Sequence, residues 1–133
     1  MNDRAVCSDL TRDFTRHQID GRCFRHANHV QVAFEVLGSH DFIDAIQIYC
    51  RGVQSMAEKA GVPDKFNVTI TIAFLSLIAE RMAASDDGTF ADFVERNPDL
   101  MSKNVLAAWY APDRLMFDGA RTIFLMPQSR RPG

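Results

Sequence analysis

The sequence predicts a small, soluble, all-α protein of one domain spanning residues 1–133. It reads as a bundle of three long helices and several short ones around a central helix at about residues 64–84. Three observations carry that reading. The 133 residues suit one ordinary domain and leave no room for two. Apolar residues recur at three- and four-residue steps, the period of a helix and not of a strand. Between Phe66 and Met82 the apolar residues point in every direction, and a helix apolar on all sides is normally enclosed by its neighbours.

The elements follow in order. Ser8 can cap a first helix over about residues 9–17, which stops before Gly21. A second helix, about residues 22–37, carries the stripe Cys23, Ala27, Val30, Phe34 and Leu37, with Gly38 as its expected stop. Asp41 then caps a third helix running to residue 60, with Asp44 three residues on as in a capping box. Its stripe is Phe42, Ile46, Tyr49, Val53, Met56 and Ala60. Gly61 ends it, and Pro63 keeps the next segment off the same helix. Residues 68–72 are rich in β-branched side chains and would suit a strand. They flow without a breaker into the helix-forming run AFLSLIAERMAA and have no partner strand, so the helix is preferred. Beyond the turn Ser85-Asp86-Asp87-Gly88, Thr89 caps a short helix through Arg96. Asn97-Pro98 opens a turn, residues 103–110 form another short helix, and residues 122–126 read as an extended arm laid across the helices. Residues 1–7 and 128–133 are expected to be flexible tails.

Composition narrows the function classes. A hydrophobic fraction of 47% and a charged fraction of 24% belong to a packed globular chain. A formal charge of −2 offers no electrostatic footprint for nucleic acid or an acidic membrane surface, and Arg130 with Arg131 is too small a cluster to supply one. The longest apolar stretch, residues 66–79, is interrupted by Asn67, Thr69, Thr71 and Ser76 and falls short of the ~20 residues of a membrane span. The first residues lack the apolar segment of a secretory signal. Cys7, Cys23 and Cys50 are odd in number and far apart, which suits reduced thiols in a cytoplasm and not a disulfide framework.

Three features can carry chemistry. His26 and His29 lie about 60° apart round a helix and can share a ligand or a metal. Equally, they can edge the apolar stripe and bond to backbone or solvent. Cys23 lies about 120° from His29 and does not complete a zinc site with them. On the central helix Asn67 and Thr71 share one face, as do Ser76 and Glu80. If buried, each needs a partner, since an unsatisfied polar group costs about 1–3 kcal/mol. Thr69, Thr71 and Ser76 can bond back to the carbonyl four residues earlier. Glu80 either pairs with Arg51 or Arg81, or faces the histidines to make a carboxylate–imidazole site. Third, Trp109, Tyr110, Phe117 and Phe124 either close the core over helix ends, or line a small-molecule pocket or a dimer face. No phosphate-cradling glycine loop, HExxH, G-x-S-x-G or paired CxxC occurs.

Several motifs recur together: His26-Ala-Asn-His29-Val, Thr69-Ile-Thr71-Ile-Ala73-Phe74-Leu75, Ile78-Ala-Glu80-Arg81 and Asn97-Pro98-Asp99-Leu100. The ending Tyr110-Ala-Pro112, Ala120-Arg121 and Phe124-Leu125 joins them. With these, residues 24–127 resemble a family of small all-helical bacterial proteins of unassigned function. The resemblance implies a polar cluster of His26, His29, position 67 and Glu80, drawn from two long helices. Relatives often carry a histidine where this chain has Asn67, and an amide is a poor transition-metal ligand.

Two readings follow. In the first, the chain is a small enzyme or a metal- or small-molecule-binding protein. His26, His29 and Glu80 would hold a divalent iron, manganese or zinc ion. Without metal, His29 or Glu80 would act as general base, with His26, Asn67 and Thr71 contacting the small molecule. In the second, it is a non-catalytic interaction module, a homodimer formed through an apolar helix face or the C-terminal arm.

Overall fold

The computed structural model describes residues 9–86 and 88–128, and all of its regular structure is helical, with no strand among the described residues. Seven α-helices are described: α1 (Asp9–Thr15), α2 (His26–Ser39), α3 (Phe42–Lys59), α4 (Val68–Ala84), α5 (Phe90–Arg96), α6 (Pro112–Met116) and α7 (Asp118–Thr122). Short 3-10 turns at Gly21–Cys23, Pro63–Lys65, Pro98–Met101 and Val105–Ala108 join them. Among the described residues no helix is long and apolar enough to cross a membrane. Ser8 with its expected cap, Cys7, and the tails at residues 1–7 and 129–133 lie outside the described residues.

Helix α4 packs against α2, α3, α7 and the Val105–Ala108 turn. Its buried residues, Thr69, Thr71, Ala73, Phe74, Leu75, Leu77 and Ile78, take up most of its circumference. It starts later than residue 64 because the Asn67 side chain caps it, accepting from the Ile70 amide at 2.9 Å. Residues 64 and 65 belong instead to the Pro63–Lys65 turn. The β-branched run 68–72 is helical. Helix α3 begins as the sequence predicts, with Asp41 accepting from the Asp44 amide at 2.8 Å, and Thr89 caps α5 through the Asp92 amide at 3.1 Å.

Both ends of α2 also differ from expectation. Gly38 does not stop α2, which runs on to Ser39. Ser39 Oγ donates to the Glu35 carbonyl at 2.9 Å, and His40 leaves in extended conformation, so no left-handed residue is needed there. Cys23 lies in a 3-10 turn before α2 and is exposed, and the buried face of that helix is Val30, Val32, Ala33 and Val36. Gly61 does end α3 at φ 76°. Its amide donates to the Glu58 carbonyl and the Val62 amide to the Ala57 carbonyl, a Schellman closure.

Helix α1 ends with the same pair of bonds, His17 N to Phe14 O at 3.0 Å and Gln18 N to Asp13 O at 2.9 Å, but with histidine at φ 58° in glycine's place. A side chain in that region is strained by about 1–2 kcal/mol, partly offset by the greater freedom glycine has in the unfolded chain. His17→Gly is therefore expected to raise stability by roughly 0.5–1 kcal/mol, read from the urea midpoint. The main-chain carbonyl of His17, which accepts from Lys59 Nζ, is kept in that variant.

The core around α1 is aromatic. The Phe14 ring stacks on Phe24 and on Tyr49, each at 5.8 Å between centroids. Thr11 Oγ1 ties α1 to α2 by donating to Glu35 Oε1 at 2.5 Å. At the other end of the chain the arm predicted over 122–126 begins one residue later, since Thr122 closes α7, and residues 123–128 follow without regular structure. Thr69, fully buried on α4, donates to the Ile123 carbonyl at 2.8 Å and accepts from the Leu125 amide at 3.0 Å. Thr69 therefore does not bond back within its own helix. Tyr110 Oη donates to the Leu125 carbonyl, and Arg114 to that of Met126, completing the seam.

Candidate functional site

A cleft of about 290 Å³ lies where the first turns of α2 and α4 meet the middle of α3 and the Val105–Ala108 turn. His26, His29, Tyr49, Asn67 and Thr71 supply its polar lining, and Val53, Ile70, Phe74, Val105 and Leu106 its apolar walls. Lys65 and Lys103 stand at its edge. Outside it, a wider vestibule adds Phe24, Arg25 and Ala27 to the same two histidines and two lysines.

Each histidine is held by one nitrogen. His26 Nε2 donates to the Leu100 carbonyl at 2.8 Å, which leaves Nδ1 as the second nitrogen of the ring. The carbonyl is itself fixed: Arg81 makes two bonds to Asp99, at 3.0 and 2.8 Å, and one to Asn97 Oδ1 at 3.0 Å, bracketing the Pro98–Met101 turn. Bonded to the guanidinium, the Asp99 carboxyl sits below its ordinary range. The His26 ring tilts against Phe74 at 5.4 Å.

His29 Nδ1 faces Tyr49 Oη at 3.3 Å, and Phe24 packs edge-on to the ring at 4.5 Å. Tyr49 is 2% exposed, and burial drives its phenol far above the ordinary range, so it remains a neutral hydroxyl. The bond joins that hydroxyl to Nδ1 and leaves Nε2 as the second nitrogen of the ring, with the tautomer deciding which partner gives the proton. Burial, followed by the neighbouring His26, lowers the His29 imidazole to about 4.

That value gives an expected pH profile. A histidine in the unfolded chain titrates near 6.5, so below it the unfolded state takes up the proton first and the fold loses stability as pH falls. The His29 contribution is complete above about pH 6.5 and declines toward pH 4 by up to ~1.4 kcal/mol per pH unit. Wild type is expected to lose stability more steeply than His29→Gln across this window in urea titrations. Parallel profiles would contradict a neutral His29.

Of the residues the sequence singles out, His26, His29, Asn67 and Thr71 line this one cleft, and Glu80 does not. Glu80 is exposed on the other side of α4, lining a second pocket of about 230 Å³ with Ser76, Trp109, Tyr110, Phe124 and Met126. The expected pairing of Glu80 with Arg51 or Arg81 is not made among the described residues: Arg81 bonds Asp99 and Asn97, and Arg51 bonds Gln54 Oε1. The helical register separates the two sides: Thr71 and Phe74 share a face with Asn67, whereas Ala73, Ser76, Leu77 and Glu80 form the next.

Comparison with protein families, curated proteins and solved structures finds no match.

A His26–His29–Glu80 metal centre is therefore not assembled. Among the described residues no three of His, Cys, Asp and Glu converge to hold a metal ion, and one nitrogen of His26 is already committed to a carbonyl. Asn67 and Thr71 also serve the fold. Asn67 Nδ2 donates to the Leu115 carbonyl at 2.8 Å, and Thr71 Oγ1 donates back to the Asn67 carbonyl at 2.7 Å, leaving its oxygen free only to accept. Sequence reasoning did not find Tyr49, Lys65 or Lys103 as site residues. A buried tyrosine hydroxyl needs a partner, which was the available signal for Tyr49; no local pattern marks the two lysines.

Proposed function

We propose that the protein binds a small molecule in the cleft between α2, α3 and α4, with His26 and His29 as its polar anchors. One observation carries this reading. Both imidazoles are oriented by a bond through one nitrogen, to the Leu100 carbonyl and to Tyr49, so each keeps its other nitrogen for a ligand in a space of about 290 Å³. Apolar walls with a few convergent polar groups are the usual make-up of a ligand pocket. Binding is favoured over general-base catalysis because an imidazole at about 4 is far from the pKa that suits a base at neutral pH.

The test is a small-fragment screen read by the ring resonances of His26 and His29. Bound fragments are expected to shift both rings. Ile70→Trp, at a position 37% exposed on the cleft wall, is expected to abolish the shifts while leaving the melting temperature within a few degrees. Fragments that bind without moving either ring would overturn the reading.

A second reading, self-association, has its own observation. Trp109, Met116, Phe117, Ile123, Phe124 and Met126 are all exposed in the last quarter of the chain, Met116 by 76% and Met126 by 68%. Exposed apolar side chains in such number are commonly covered by a second copy. Light scattering should then give a dimer that Phe117→Asp dissociates; a monomer at every concentration would remove this reading.

A further inference from the structure

We propose that the cleft selects a small organic anion, a carboxylate on a compact apolar body, with Lys65 and Lys103 receiving the charged end. The proposal rests on the cleft being a ligand site and adds the class of ligand.

Its first support is the charge inventory. The chain has 17 acidic and 15 basic residues, yet no Asp or Glu lines either the cleft or its vestibule. Three cationic side chains do: Lys65 and Lys103 at both levels, and Arg25 outside. Neither lysine has an ion-pair partner among the described residues. In a chain with a negative balance, this one opening is locally positive and its cations are left unneutralised.

The second support is the backbone. His26 opens α2, Asn67 caps α4, and both residues line the cleft, so the N-terminal turns of a 14-residue and a 17-residue helix, where the dipole is positive, border the same space. The third is the donor set. In the tautomer that carries its proton on Nε2, His29 can donate to a carboxylate oxygen while neutral, and Lys65 and Lys103 add ammonium donors. Phe74, Val53, Ile70 and Leu106 face the remainder of the ligand, which must be uncharged and small to fit about 290 Å³.

Three probes of one shape test it: benzoate, benzamide and benzylamine, titrated into the full chain and followed by the His26 and His29 ring resonances. Benzoate is expected to bind best and to weaken as salt is raised. In Lys65→Gln/Lys103→Gln, benzoate affinity is expected to fall about tenfold while benzamide binding is unchanged. Both lysines are exposed, so the double variant keeps the fold. Benzamide or benzylamine binding as well as benzoate would overturn the anion assignment and leave the ligand site standing. Silence of both rings to all three probes would overturn the two together.

Discussion

Gly52→Ala is expected to destabilise the protein by about 2 kcal/mol, although alanine is the better helix former. Gly52 is buried in the middle of α3, where replacing glycine by alanine at an exposed position would gain up to ~1 kcal/mol. Here an added Cβ would lie 2.3 Å from two atoms of the Phe14 ring and 2.9 Å from a third. That ring cannot step aside, because it is 1% exposed and held between Phe24 and Tyr49. Overpacking of a filled core costs roughly 1–3 kcal/mol, and the close approach of two helices puts this site at the upper end. A loss of that size should lower the melting temperature by about 8 °C. Adding Phe14→Leu should recover part of it, since the smaller side chain vacates the contact; strictly additive losses in the double variant would show the clash is not the cause.

Thr69→Val is expected to cost about 2 kcal/mol and to release the C-terminal arm. The substitution keeps the shape of the side chain and removes one oxygen. That oxygen serves both the Ile123 carbonyl and the Leu125 amide, which lose their partner together. Hydrogen exchange at the Leu125 amide should rise toward the unprotected rate, and proteolysis within residues 121–128 should become rapid. Thr71→Val provides the control. Its hydroxyl donates to the Asn67 carbonyl, which also accepts the Thr71 amide at 3.0 Å, so no group is orphaned and the loss should stay below about 1 kcal/mol. Equal losses for the two threonines would remove the special role of Thr69.

These two residues also mark where sequence reasoning stops. Helix periods, the Asp41 and Thr89 caps and the Gly61 stop are local, and each depends on a handful of neighbouring residues, so they are legible from the chain. The enclosed character of α4 is legible for the same reason, being a count of apolar residues round one axis. Gly52 is different: its meaning comes from an aromatic ring 38 positions earlier, and nothing near it announces that contact. Gly38 shows the converse, a glycine that satisfies the local rule for a stop where the backbone does not need one. Thr69 and Thr71 look alike in sequence, yet one reaches across to the arm and the other folds back on its own helix.

The candidate site divides along the same line. His26, His29, Asn67 and Thr71 come together because each pair shares a helix face, which spacing reveals. Glu80 joins them in the sequence only as a polar residue of the same long helix and through the family resemblance, and its azimuth on α4 takes it to the other side. Tyr49 has the spacing of a core residue and is one; its hydroxyl acquires a second role only because α2 crosses α3 at His29. Lys65 and Lys103 lie on separate connections and become neighbours of one opening only after the bundle closes.

Leu106 lines both the cleft and the pocket beneath the arm. One side chain thus borders two compartments, and a change in its length bears on both. Exchanging it for alanine would enlarge both, whereas a bulkier phenylalanine would narrow both chambers at once. The size of both chambers can therefore be changed at one apolar position without altering a histidine or a lysine.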